Sequence, residues 1–143
     1  MVLLLEVKPI FRYVYHVTTK ATVQGIKQHG LLAVDKSTSA NWQHIKYKKP
    51  SIFVITRTSP EIISDLFGIM VAKHHDLDDP TLDWDAVLDN LVIITIDLSK
   101  CSNIDLEQDP SSMAYQRWTM LTGNVPPDSI VKIEPLRQYF VDF

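Results

Sequence analysis

The run Leu91-Val92-Ile93-Ile94-Thr95-Ile96-Asp97-Leu98 constrains the folding of this chain more than any other stretch. A strand with one face in water alternates apolar and polar residues, whereas a continuous, branched apolar run fits a strand placed centrally in a sheet. A sheet is therefore expected to organise the molecule. With 143 residues, 45% of them hydrophobic and 22% charged, the chain can bury a core around that strand, and residues 1–143 read as one domain.

The remaining pattern supplies the partners of this strand. Arg12 to Val17 reads as a second strand, with Tyr13, Tyr15 and Val17 on one face and Val14, His16 and Thr18 on the other. Thr18 or Thr19 can cap a helix that runs to about His29 and stops at Gly30. Ala33 to Pro50 loses periodicity around Trp42 and reads as a long loop. Ser51 to Thr56 is again strand, and Ser59-Pro60-Glu61 supplies a cap, an N1 proline and an acidic first turn for a helix to about Lys73. Ile62, Ile63, Leu66, Phe67, Ile69 and Met70 would form its buried side.

Beyond an acidic loop from His74 to Asp85 and a short turn at Ala86 to Leu88, the pattern predicts strands over Ala114 to Leu121, Ile130 to Ile133 and Tyr139 to Phe143. Met1 to Val7 reads as a first strand rather than a signal peptide, because no Lys or Arg precedes it and Glu6 and Lys8 follow. The order β, α, β, α, then mostly β, predicts an α+β fold with two main helices.

Charge and cysteine usage narrow the function classes. A formal charge of -3 argues against sequence-independent nucleic-acid binding, which draws on Lys and Arg contacts to phosphate. The one concentrated basic run, Lys46, Lys48 and Lys49 around Tyr47, and the acidic residues Asp76, Asp78, Asp79, Asp83 and Asp85 read as solvated loops. Cys101 is the single cysteine, so no intrachain disulfide forms, and a reducing, cytoplasmic setting is expected. No apolar stretch is long enough to span a bilayer, so no membrane partner is expected.

Most candidate chemistry is weak in isolation. His74 and His75 with Asp76, Asp78 and Asp79 offer metal-ligand types, but no second spaced cluster completes a set, and no metal is expected. Cys101 has only Lys100 as an activating neighbour. Asp85, Asp89 and Asp97 are dispersed and read as surface and turn residues. There is no phosphate-binding glycine loop, dinucleotide fingerprint or nucleophile elbow. What stands out is Tyr15-His16-Val17-Thr18-Thr19, where a histidine and two hydroxyls lead into a helix N-terminus, a place suited to a ribose or a phosphate.

Taken together, Tyr15-His16-Val17-Thr18-Thr19 with its helix and Gly30-Leu31-Leu32, then Ser51-Ile52-Phe53-Val54-Ile55-Thr56, and Gly123-Asn124-Val125-Pro126-Pro127-Asp128-Ser129-Ile130 resemble the ADP-ribosyltransferase superfamily. The likeness spans Tyr13 to Ile133 and looks closest to small bacterial and phage members of the histidine, aromatic, glutamate type. It implies a split, strongly bent β-sheet core whose cleft binds NAD, with His16 on ribose hydroxyls and the Val17 main chain on the nicotinamide carboxamide. It also implies that Thr18 and Thr19 lie near the cofactor and that Phe53 stacks on nicotinamide where the family has tyrosine. The family's catalytic glutamate has no counterpart, since Gln116 and Arg117 stand in that region.

The resemblance leaves three readings. The first is an ADP-ribosyltransferase passing ADP-ribose from NAD to a protein, nucleic acid or small molecule, with Gln116 in the glutamate's role or with Glu107 or Glu134 supplying it. The second is a catalytically silent relative that binds NAD, an ADP-ribose derivative or a protein partner. The third is an RNA 2'-phosphotransferase-like enzyme, for which Arg12, Arg57 and Arg117 are too few and poorly matched. A non-nucleotide alternative has the Trp42 loop and the basic run present a protein-binding surface. In this family loops choose the acceptor, and the candidates here are Ala33 to Pro50 and Asp105 to Ala114.

Overall fold

Every residue of the strand at Leu91–Asp97 is buried, none more than 7% exposed. The structure, a computed structural model, describes residues 12–32, 51–102, 104–108 and 118–140. The strands are β1 (Tyr13–Thr19), β2 (Ser51–Ile55), β3 (Leu91–Asp97), β4 (Asp105–Gln108), β5 (Trp118–Thr122) and β6 (Ile130–Pro135). They form one antiparallel sheet in the order β4-β5-β2-β1-β3-β6. The helices are α1 (Val23–His29), α2 (Pro60–His74) and α3 (Trp84–Asp89).

β3 lies between β1 and β6, one strand in from the edge, rather than at the centre of the order. Its unbroken apolar sequence comes from cover on both faces. Ile94 and Ile96 join Val14, Ile26, Ile52 and Val54 in a cluster on the α1 side. Leu91 and Ile93 join Val17, Ile55, Ile62 and Ile63 in a cluster on the α2 side. Both faces of this strand thus contribute hydrophobic stabilisation, at about 25 cal/mol per Å² of apolar surface buried.

Several expectations require correction. The Ala86 to Leu88 turn is part of α3, because Asp83 caps it by accepting from the Ala86 N–H at 3.1 Å and Leu88 is buried. In α2, Val71 is buried while Ile69 is exposed, since Ile69 falls on the flank of the apolar stripe. Asp105–Gln108, expected within a loop, is β4; its acidic sequence has little strand propensity, and pairing with β5 overrides it. Tyr139, expected to open a strand to Phe143, instead ends the 3-10 turn Leu136–Tyr139, because Pro135 ends β6 and Leu136 turns into the core, and residues 141–143 lie outside the described residues. The Met1 to Val7 strand, the Ala33 to Pro50 loop with Trp42 and the basic run, and the Ala114 to Arg117 start of the expected strand lie outside the described residues.

Asp97 is buried and not a surface residue. Its carboxylate accepts from Arg12 Nε at 3.3 Å and Arg12 Nη2 at 3.1 Å, and from the N–H and hydroxyl of Ser99 at 3.0 and 2.6 Å. These bonds outweigh desolvation, and the Arg12 guanidinium first, then Ser99, hold the Asp97 carboxyl down at about 2. A depressed carboxyl contributes stability at pH values above its unfolded pKa and loses it as pH falls through its folded one. Asp97→Asn should therefore be less stable than wild type at pH 5 to 7, and the difference should shrink as pH drops from about 4 towards 2. Denaturant titrations across that range check it.

Gly30 ends α1 with φ 75° and ψ -160°, and the next residue pairs with a distant loop: Leu31 and Val125 exchange backbone bonds of 2.9 and 2.8 Å. A Cβ on Gly30 would stand 1.9 Å from the Val125 carbonyl oxygen. Both conformation and space thus require glycine. Gly30→Ala should destabilise the fold by about 2 kcal/mol or more, read as a drop of roughly 5 °C or more in Tm. An unchanged Tm would show that the bridge to Val125 carries no weight.

Candidate functional site

The sheet is one ladder by connectivity and two halves by bonding. β1 and β3 pair over seven residues and β2 and β5 over five, but β1 meets β2 in register at one point, Tyr15 opposite Ile55. Continuing that ladder would set Val17 against Phe53, and the pairing stops before it does. Two three-stranded halves, β4-β5-β2 and β1-β3-β6, therefore part along His16 to Thr19 on one side and the start of β2 on the other.

His16 spans the opening. Its Nδ1 lies 2.8 Å from the carbonyl oxygen of Phe53, and because a carbonyl accepts only, the proton is on Nδ1. A neutral imidazole in that tautomer has Nε2 as an acceptor. The contact is ring to backbone. Strand alternation sends His16 to the α1 side with Val14, while Phe53 follows Ile55 to the α2 side, so the two rings leave the sheet on opposite faces.

The threonines that follow bond to one another. Thr22 Oγ1 donates to the Thr19 carbonyl at 2.8 Å and lies 3.1 Å from Thr18 Oγ1. Either hydroxyl can donate in the Thr18–Thr22 contact. Thr19 is the cap residue of the 3-10 turn Lys20–Thr22, with no side-chain cap bond.

The helix N-terminus expected beside His16 is not an anion cradle. The chain passes from β1 into the 3-10 turn, whose Lys20 N–H donates to the Asn90 carbonyl at 2.9 Å, and the Val23 N–H returns to the Lys20 carbonyl. α1 begins only at Val23 and holds seven residues. Part of the donor set that would greet a phosphate is engaged within the chain.

Gln116 and Arg117 lie outside the described residues. Trp118, the first residue of β5, pairs with Ile55, and Ile55 with Tyr15, the row where the halves join. The two alternative glutamates stand away from that row. Glu107 on β4 is opposite Met120, itself opposite Phe53. Glu134 on β6 is opposite Ile93, itself opposite Val17. Each is on the outer strand of its own half.

Other candidates are engaged elsewhere. Arg12, one of three arginines that a phosphotransferase would draw on, is paired with Asp97. Asp76 accepts from the Asp78 N–H, and Asp79 from the N–H and hydroxyl of Thr81, so these carboxylates turn their own loop. Among the described residues no three ligating side chains converge on a metal position. Burial pushes the half-buried Cys101 thiol up, away from the reactive thiolate. No described helix is long and apolar enough to cross a membrane. Thr22 escaped the sequence reading, although its spacing of four from Thr18 and three from Thr19 suits a turn. No family model matches the chain, and no curated protein matches it.

Glu134 has its own partner. Tyr139 Oη donates to Glu134 Oε1 at 2.6 Å, and burial, then this bond, push the tyrosine up to about 12. An alkaline absorbance titration should show a tyrosine ionising close to pH 12, and Tyr139→Phe should remove that step. A step that persists in the variant would assign the shift to another ring.

Proposed function

We propose that this chain is an ADP-ribosyltransferase-like protein that holds NAD in the split between β1 and β2 and passes ADP-ribose to an acceptor. The observation that supports it is the parting of the sheet at Tyr15 and Ile55, with His16 crossing to Phe53. The residues assigned to the cofactor are consecutive on β1, His16, Val17, Thr18 and Thr19, with Phe53 on β2, beyond the one register pair of the two strands. The bond from Leu31 to Val125 ties the first motif to the third.

In this reading the bond from ribose C1' to nicotinamide breaks, nicotinamide leaves with the electron pair, and an acceptor nucleophile bonds C1' and gives up its proton. Gln116 orients the ribose by hydrogen bonds. The charge stabilisation that a carboxylate would add is missing at that position, and Arg117, if it faced the cleft, would oppose the developing positive charge. The segments Ala33 to Pro50 and Asp105 to Ala114 are the candidates for choosing a protein, nucleic acid or small-molecule acceptor.

A second reading has one observation in its favour. Glu107 and Glu134, the glutamates that could replace the missing carboxylate, are on outer strands, and Glu134 is bonded to Tyr139. A catalytically silent relative would bind NAD or an ADP-ribose derivative in the same split without turning it over. Calorimetry with NAD, together with mass detection of nicotinamide, separates the two. Binding weakened at least about tenfold by His16→Ala, with nicotinamide released, supports the transferase; the same binding with no nicotinamide supports the silent relative. A wild-type chain that binds neither NAD nor ADP-ribose would falsify both.

A further inference from the structure

β6 is the last strand in the order, paired with β3 on one side and with no other described strand on its second. Along it runs a groove of about 330 Å³ lined by Lys27, Pro127, Ile130, Val131, Lys132 and Ile133. Successive residues of a strand point to opposite faces, so a hollow touching four in a row follows the open edge of the strand rather than lying over one face. A bulge shapes that edge. Lys132 is opposite Thr95 and Ile130 opposite Ile96, which leaves Val131 as an extra residue, 43% exposed. The extra residue brings Ile130 and Ile133 onto one face, where both are only partly buried against the α1-side cluster. Lys132 alternates to the other face, while Lys27 is exposed on α1. The groove therefore has apolar residues along it, a lysine from either side of the sheet and no carboxylate in its lining. Neither lysine has an ion pair among the described residues, in a chain whose formal charge is -3.

We propose that the β6 edge takes an extended acidic segment of a partner protein as an added strand. Main-chain bonds to the open side of β6 hold it, and its branched side chains rest on Ile130 and Ile133. Its Asp or Glu residues meet Lys27 on one face and Lys132 on the other, and a basic segment is turned away by the same two charges. β3 and β1 lie between this edge and the split, so the proposal is independent of NAD. A bulge and a lysine are also how proteins blunt an edge against any added strand. The two roles differ in what the edge binds.

The probe is a displayed library of random peptides, selected on the full chain. Enriched sequences should carry repeated Asp or Glu among branched residues. One of them, made synthetically, should slow amide hydrogen exchange between Ile130 and Glu134 and lose its binding when alternate peptide nitrogens are methylated. Lys27 and Lys132 are exposed, so Lys27→Glu and Lys132→Glu should keep the wild-type Tm and each weaken that peptide about fivefold or more. The reversals act on separate faces, and the double variant should lose close to the product of the two. A library that enriches nothing would assign the bulge and Lys132 to edge protection and overturn the proposal. Enriched peptides without acidic residues, binding that either reversal leaves unchanged, or binding that survives methylation would overturn it as well.

Discussion

The single register pair between Tyr15 and Ile55 is the point on which the architecture turns. A fully paired β1 and β2 would make an ordinary six-stranded sheet with no internal opening. No pairing at all would leave two three-stranded ribbons with facing raw edges, each an invitation to unwanted strand addition. One pair, reinforced by the imidazole of His16 on the Phe53 carbonyl, keeps the halves together.

Hydrogen-bond direction, more than residue type, sets the chemistry around the opening. Histidine and threonine can each donate or accept, so a list of side chains says little about what they bind. Their in-chain partners decide. The Phe53 carbonyl can only accept and so holds the proton of His16 on Nδ1. The same logic applies to Asp97, which gathers donors from Arg12 and Ser99 and stays ionised despite burial.

How much of this was legible in the sequence depends on whether the signal was local. The apolar run of β3, the alternation of β1 and the Ser59-Pro60-Glu61 start of α2 are local patterns, and they read correctly. β4 was not readable, because Asp-Leu-Glu-Gln forms a strand only through a partner on β5. The same holds for Asp97, whose burial is set by a guanidinium 85 residues away in sequence. Of the candidate site, the five positions along β1 and β2 were chosen from short motifs, and the split that separates them is visible only once pairing is known. The opposite facing of His16 and Phe53 follows from a register that no motif encodes.

The strand order has a consequence for synthesis. One half-sheet takes β1, β3 and β6, and the other takes β2, β4 and β5, so the halves are interleaved along the chain rather than following one another. As the nascent polypeptide leaves the ribosome, β1 and β2 emerge early with their main partners, β3 and β5, still to be made. Neither half can be completed before β5 and β6 have been translated, and long-range pairing of this kind is slow to find. Until then the two earliest strands are exposed edges, and the polar Thr18 and Thr19 at the end of β1 make that segment less adhesive than a run of valines would be.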